Sequence, residues 1–235
     1  MKVLVIIPAY NEAGSIGCVL RELRQTAPEY DCVVVNDGST DDTAAVCRAQ
    51  GVRVLDLPDN LGLAVAVQAG MRYACKKEYD AAVQIDADGQ HDPRFISDLA
   101  AKMEETDADL VIGSRFLQDR RPCTLRMSGN ALLSAVTRLT TGRWISDPTS
   151  GMRLYGKKLL KLLAYGVNYE PEPDTVAYLI RSGARVEEVP IRMRDRIAGQ
   201  SYLSPFRSVL YMLRMCMNIC FIQWFRKRSD FACRQ

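Results

Sequence analysis

Val83-Gln84-Ile85-Asp86-Ala87-Asp88-Gly89-Gln90-His91-Asp92 is the stretch from which the rest of the chain can be read. Ala81 to Ile85 is a mainly apolar run and reads as a buried strand. It stops at a carboxylate. Side chains of an extended chain alternate with a period of two, so Asp86 and Asp88 are expected to point the same way. With Gly89 and the Gln90 amide behind them, they make a hard, oxygen-rich site at the carboxyl end of a strand. Open α/β sheets bind their ligands there. Oxygen ligands of this kind suit Mg²⁺ or Mn²⁺, and Mg²⁺ is typically held by one or two carboxylates plus substrate phosphates. An isolated Asp-x-Asp pair reads more often as an acidic turn; the pattern around this one decides against that.

Upstream, Val3 to Ile7 is continuously apolar, as a strand buried on both faces should be, and Pro8-Ala9-Tyr10-Asn11-Glu12 ends it. Helical spacing follows at Ile16, Val19, Leu20 and Leu23. Cys32 to Asn36 reads as a second strand, closed by Asp37-Gly38-Ser39-Thr40-Asp41, where Ser39 or Thr40 can cap a helix starting near Asp41. Val52 to Asp56 is a third strand. Leu61 to Cys75 is a helix of small residues, with Gly62 and Gly70 marking a close approach to its backbone. Downstream, Pro93 opens a helix, and Leu110 to Ile112 is a fifth strand ending in Gly113-Ser114-Arg115. Alternating strands and helices predict a mostly parallel sheet with helices on both faces, and every polar motif falls at the same sheet edge. After about residue 122 the pattern loosens. Asn130 to Leu139 reads as helical, Asp147 to Arg153 as a polar turn, and Tyr169 to Asp174 as an acidic, proline-broken loop before a helix from Thr175 to Arg181. Arg185 to Pro190 reads as a short strand, and Arg192 to Arg196 with Gly199 and Ser201 as a basic loop.

The 235 residues suffice for one large domain with an appendage, and 48% hydrophobic with 25% charged residues is a globular composition. The net charge is +3. Arg192 to Gln235 carries +7 of it, leaving −4 for the rest, so an anionic partner is expected at the C-terminal end. The eight cysteines contain no CxxC pair or zinc pattern and read as small core residues in a reducing compartment. The first apolar run is too short for a signal peptide, so a cytoplasmic body is expected. No GxGxxG follows the first strand and no GxxxxGK[ST] occurs, which excludes the usual dinucleotide and P-loop sites.

Taken in order, these motifs resemble the GT-A glycosyltransferases of family 2, and most closely the branch of dolichyl- and polyprenyl-phosphate sugar synthases. The residues that carry the resemblance begin with Pro8 to Glu12, Asn36 to Asp41, and Asn60-Leu61-Gly62 with Gly70. They continue through Asp86 to His91, Gly113 to Phe116, Asp147 to Arg153, and Arg196 with Gly199 and Ser201. The resemblance implies a GT-A, Rossmann-like fold over residues 1–201. It implies a nucleoside pocket lined by Pro8, Tyr10 and Glu12, with Asp37 on the base edge. Asp86, Asp88 and Gln90 would hold Mg²⁺ or Mn²⁺ against the diphosphate, and Arg196, with Ser201 in the same loop, would clamp that diphosphate. Arg115 and Arg126 would face an acceptor phosphate. Taken alone, Glu12 and Asp37 read as turn and cap residues, and His91 reads as a support for loop geometry rather than as a proton carrier.

Members of this family invert at the anomeric carbon. A sugar hydroxyl acceptor needs a general base, for which Asp147, Glu172 and Asp174 are the candidates; a lipid phosphate, already anionic, does not. The QxxRW motif of the processive polysaccharide synthases is absent. Many polyprenyl-phosphate relatives continue into two or four transmembrane helices; this chain offers one candidate helix, from Pro205 to about Phe225. There Arg207, Tyr211, Arg214 and Asn218 line one face, apolar residues fill the others, and Arg226-Lys227-Arg228 follows. A spanning helix needs about 20 mostly apolar residues, and Arg214 interrupts this one. An amphipathic helix lying in the membrane surface is therefore expected over 202–235. A helix packed on the body, or one docking a small membrane subunit, is the alternative.

The expected activity is an inverting, metal-dependent transfer of a sugar from a nucleotide-diphosphate sugar to a polyprenyl phosphate at the cytoplasmic membrane face. Transfer to a sugar hydroxyl of a lipid-linked glycan, or a non-catalytic nucleotide-sugar-binding subunit, is the alternative. No nucleic-acid partner is expected.

Overall fold

A computed structural model of the protein describes residues 1–117, 125–166, 171–196 and 205–222. The first half runs β1 (Val3–Ala9), α1 (Ile16–Thr26), β2 (Asp31–Asp37), α2 (Thr43–Ala49), β3 (Arg53–Leu57), α3 (Leu63–Lys76), β4 (Ala81–Gln84), α4 (Phe95–Thr106) and β5 (Leu110–Ser114). The second half adds α5 (Leu125–Thr141), β6 (Arg153–Gly156), α6 (Lys157–Tyr165), α7 (Pro173–Arg181), β7 (Val186–Pro190) and α8 (Pro205–Met217), which a π-helical turn, Asn218–Ile222, continues. Among the described residues the strands form one sheet in the order β3-β2-β1-β4-β6-β5-β7. All neighbours are parallel except β6, which runs antiparallel to both β4 and β5.

The unbroken apolar runs are explained by burial on both sides. In β1, Val3, Val5 and Ile7 join α1, α2 and α4 in one core. Leu4 and Ile6, alternating with them, join α3, α6 and α7 in the other. Gly70 is where α3 presses on β1: a Cβ there would stand 2.4 Å from Ile6 Cγ2. Gly70→Ala is expected to overpack this contact and destabilise the fold by about 1–3 kcal/mol, read as a lowered urea midpoint; an unchanged midpoint would mean that Ile6 moves aside freely.

The second half departs from the sequence-based expectation. Arg153 does not close a polar turn but begins β6, and α6 follows without a break. At four residues with an Arg at its head, β6 is too short to show a period. The helical spacing of Leu159, Leu160 and Leu163 is the signal for α6 in the sequence, and all three are buried. The insertion matters because the register sets Arg153 opposite both Gln84 of β4 and Ile112 of β5. The turn before β6 is thereby delivered to the middle of the sheet's carboxyl edge.

The tail helix is partly a packed element. Met215 and Ile219 are buried with Leu133 of α5 and Ala177 of α7, and Met212 lies over Gly129. Tyr211 belongs to this packed side, not to a solvent stripe with Arg214. Leu210, Leu213, Met217 and Phe221 remain exposed. Among the described residues no helix is long and apolar enough to cross a membrane.

Candidate functional site

The ends of β1 and β2 are stitched together by polar side chains. Asn11, at φ +55°, accepts the Thr40 N–H at 2.8 Å, and its own N–H donates to Ser39 Oγ at 3.0 Å. The Glu12 N–H donates to Thr43 Oγ1 at 2.8 Å, and Ser15 Oγ donates to Glu12 Oε2 at 2.6 Å. Asp37 is buried and accepts the N–H groups of Leu61 and Gly62, at 2.8 and 2.9 Å. It thus fixes the loop that opens α3. Gly38 supports the same approach, with φ +66° and the Asp59 carbonyl carbon 2.3 Å from where a Cβ would be. Pro8, Tyr10, Glu12 and Asp37 are consequently held at adjacent strand ends, with Tyr10 and Glu12 half-exposed.

The acidic loop after β4 does not continue extended. It turns at Ala87–Gly89, with Gly89 at φ +80°. Asp86 and Asp88 therefore differ in setting, with side-chain exposures of 36% and 7%. Asp88 Oδ1 accepts the Gln90 N–H at 3.0 Å. His91 is buried, and its Nδ1 accepts the Asp86 N–H at 3.0 Å. The histidine is a strut for the Asp86 backbone, as its sequence position suggested.

The segment after β7 lies against this loop. His91 bridges to Met193, the Arg194 N–H donates to Gln90 O at 3.0 Å, and Gln90 Nε2 donates back to Arg194 O at 3.3 Å. The Arg194 guanidinium reaches Asp92 and Glu22, each at 2.6 Å. Burial alone would raise the Asp92 pKa; hydrogen bonds from Arg94 and Arg194 outweigh it and hold the carboxyl below its ordinary range. Arg196 Nη2 stands 3.0 Å from Asp88 Oδ2. Sequence reading missed the Arg194–Asp92–Glu22 clamp, because a basic run usually reads as a solvated face and Glu22 lies far away in the chain.

Among the described residues no three His, Cys, Asp or Glu side chains are grouped to hold a metal by themselves. Two carboxylates and an amide are a hard oxygen set that fits a cation whose remaining ligands come from phosphate.

Arg115 follows β5 and is anchored. Its Nε and Nη2 donate to Asp147 Oδ2 and Oδ1 at 2.6 and 2.7 Å, and its backbone N–H donates to Oδ2 at 3.1 Å. Nη2 also reaches Thr149 Oγ1 at 2.7 Å. Asp147 is fully buried and also accepts from Thr149. Its geometry is that of a seat for Arg115, with no exposed oxygen to take a proton from an acceptor. Beneath it, Glu188 of β7 accepts the N–H groups of Ser146 and Asp147 at 2.8 and 2.9 Å. Burial pushes the Glu188 pKa up, and those donors pull it part of the way back. The turn then passes over the acidic loop: a Cβ on Gly151 would lie 3.1 Å from Asp86 Oδ2 and 3.2 Å from His91 Cε1. Five residues, 147–151, thus join the Arg115 seat to Asp86.

At the N-terminus of α7, Asp174 is buried and Glu172 is half-buried. Tyr211 of α8 donates its hydroxyl to Glu172 Oε2. Burial, then the Glu172 charge, raises the Tyr211 pKa. A cation acting on Tyr211 is Arg153, almost wholly buried and hydrogen-bonded to the carbonyls of Pro148 and Ser150, both at 2.8 Å. Arg126 lies in the first turn of α5, its side chain outside the described residues; Ser201 also lies outside them.

A mostly parallel sheet carrying an Asp-x-Asp loop at its carboxyl edge, beside two stitched loops, is the GT-A arrangement. The model of glycosyl transferase family 2 matches residues 4–163, and the chain belongs to that family; it is a glycosyltransferase. It is 36% identical over 217 residues to the undecaprenyl-phosphate mannosyltransferase of Micrococcus luteus, covering 87% of this chain and 88% of that one. It is 30% identical over 216 residues to the polyprenol monophosphomannose synthase of Mycolicibacterium smegmatis, covering 86% and 81%. These relatives place it in the polyprenyl-phosphate sugar branch. The fold is similar to that of glucosyl-3-phosphoglycerate synthase from Mycobacterium tuberculosis, solved with Mn²⁺, UDP and glucosyl-3-phosphoglycerate. The TM-score is 0.66 at 22% identity, over 93% of this chain and 80% of that one.

Proposed function

We propose that this protein moves a hexose from a nucleotide-diphosphate sugar to a polyprenyl phosphate, with inversion, at the cytoplasmic face of the membrane. One observation carries the reading. Asp86 and the Arg115 seat are spanned by a single five-residue turn, so the carboxylates read as a cation-and-diphosphate site share one sheet edge with a fixed guanidinium. Pro8, Tyr10, Glu12 and Asp37 are read as the nucleoside pocket. Asp86, Asp88 and Gln90 would hold Mg²⁺ or Mn²⁺, whose chemistry is Lewis-acid stabilisation of the departing nucleoside diphosphate. Arg196, with Ser201, would bind that diphosphate as a planar fork. Arg115, and with it Arg126, would receive the acceptor phosphate, whose oxygen is anionic near neutral pH and attacks without a protein base. Transfer to a sugar hydroxyl is the second reading. What favours it is that two carboxylates, Glu172 and Asp174, sit together at the start of α7, since a hydroxyl acceptor needs a base. Residues 202–235 are read as the membrane-associating segment, with a small membrane subunit as the other possible partner.

The test is incubation of the purified protein with UDP-, GDP- and dTDP-sugars, with and without undecaprenyl or dolichyl phosphate, and analysis of any lipid product. A sugar 1-phosphate lipid of inverted configuration is expected. A product formed only on a glycan hydroxyl would select the second reading.

The Arg115 seat supplies a sharper prediction. Arg115→Lys keeps the charge but cannot form the fork with Asp147. Losing charge-assisted hydrogen bonds of this kind is worth roughly 1.5–3 kcal/mol, so the acceptor KM is expected to rise about tenfold or more while the donor KM changes little. The reverse ordering in steady-state kinetics would put Arg115 on the donor side.

A further inference from the structure

We infer that Arg153 is a positioning residue for sugar transfer: its buried guanidinium holds the 147–151 turn in the shape that seats Arg115. The inference rests on the reading of Arg115 as the acceptor-side guanidinium. Among the described residues Arg153 is the largest side chain that is wholly buried, at 1% exposure. A charged group is costly to keep there unless its donors are well used. Two of them are used on the turn that precedes it: Nε donates to Ser150 O and Nη2 to Pro148 O, both at 2.8 Å.

The turn divides into two sets of residues. Asp147 and Thr149 bind the Arg115 guanidinium, and Gly151 lies over Asp86. Pro148 and Ser150, between them, give their carbonyls to Arg153. The residues that face the site therefore alternate with the residues that are held. No strand or helix covers 147–151, so these carbonyls have no ladder to satisfy them, and the shape of the turn depends on side chains. Glu188 fixes the entrance through the Ser146 and Asp147 N–H groups, and Asn130 Oδ1 lies 3.2 Å from Thr149 Oγ1. Arg153 fixes the middle and the exit. Its own place is set by β6, which is paired with β4 on one side and β5 on the other. A guanidinium is planar and rigid, so its fork fixes the two carbonyls relative to each other; an ammonium on a flexible stem does not.

Hydrogen exchange tests this without any substrate. The Arg115 N–H donates to Asp147 Oδ2 at 3.1 Å and the Gly113 N–H to Met152 O at 2.9 Å, so the peptide 113–117 reports on the seat. In Arg153→Lys, exchange of that peptide, followed by mass spectrometry, is expected to quicken about tenfold or more while β1 keeps the wild-type rate. Equal quickening of both would mean that Arg153 merely holds the core. Wild-type exchange in both would mean that the turn does not need it. Either result overturns the inference. Arg153→Gln, which keeps a donor for one carbonyl, is the second variant, and failure of both variants to fold overturns it too.

Kinetics then join Arg153 to the reaction, with undecaprenyl or dolichyl phosphate and the nucleotide sugar that supports transfer in the wild type. Arg153→Lys is expected to raise the acceptor KM about tenfold, the size of one charge-assisted contact, and to leave the donor KM within about twofold. In an Arg115→Lys background the same change is expected to add less than about twofold, because the seat is already broken. An equal factor in both backgrounds overturns the positioning role. If Arg115→Lys raises the donor KM instead, the acceptor reading of Arg115 fails, while the double-mutant cycle still decides whether Arg153 acts through Arg115. If the wild type transfers sugar to neither lipid, the proposed acceptor is wrong, and the inference falls with it.

Discussion

Asp88→Ala is expected to reduce sugar transfer by about a thousandfold or more, since Lewis-acid stabilisation of the leaving diphosphate is worth several kcal/mol. Asp88 is the less exposed of the two loop carboxylates and is oriented by the Gln90 N–H. On the proposed reading its removal takes away a cation ligand, while the rest of the loop stays held by His91, Arg194 and Asp92. Thermal unfolding is therefore expected to shift by no more than about 1 kcal/mol, while nucleotide binding in Mn²⁺ weakens. The check is a lipid-product assay with Mn²⁺ beside calorimetry of the same preparation. Full activity of the variant, or of the wild type in EDTA, would remove the cation from the mechanism.

The second large effect is expected at the membrane. Leu210, Leu213, Met217 and Phe221 follow one another at spacings of three, four and four residues, and all are more than half exposed. Such spacing lines one helix face. The opposite face of the same helix, through Met215 and Ile219, is already buried on α5 and α7. An apolar row outward and a packed row inward suit a helix seated between the body and a lipid surface. Arg214, exposed beside that row, can snorkel to the headgroups.

Removing the tail after Ser204 would be a poor test, because it would uncover Leu133 and Ala177 and free Glu172 from Tyr211. The Leu213→Glu/Phe221→Glu variant leaves the packed face alone. Burying a Leu or Phe side chain is worth about 1.5–3 kcal/mol, so the pair is expected to lower partition onto anionic vesicles by at least about a hundredfold. The fold and donor binding are expected to persist, and lipid-acceptor activity is expected to fall with membrane binding. Wild-type binding should weaken in salt without vanishing, as apolar burial does not screen. Equal flotation of variant and wild type would exclude this surface. Failure of carbonate to extract the wild-type chain would exclude an in-plane helix.

Much of the candidate site is legible in the sequence. The runs Val3 to Ile7, Cys32 to Asn36 and Ala81 to Ile85 announce strands buried on both faces, and the polar motifs that end them must then fall on one edge. That follows from periodicity and handedness, which are local properties. Residue type and spacing likewise put Asp86, Asp88, Gln90 and Arg115 forward as candidates, and the structure sets them at that one edge. The need for a close contact at Gly70 is also legible, though not that Ile6 would make it.

What the chain order could not show is which side chains would be joined across it. The short strand β6 carries no period, and only its place between β4 and β5 brings the 147–151 turn onto Asp86. Asp147 reads from the sequence as a candidate base and becomes the buried seat of Arg115, since that role depends on a partner 32 residues away. Arg194 and Arg196 look alike in a basic run, yet one is a clamp on Asp92 and Glu22 and the other an ion pair on Asp88. Tyr211 looks like part of a polar stripe and instead turns inward to Glu172. Local composition therefore determined the strands, their edge and the kinds of groups placed there. The pairing of those groups was decided by tertiary structure, because a charge or hydrogen bond finds its partner by distance in space, and sequence spacing encodes that distance only within a single helix or strand.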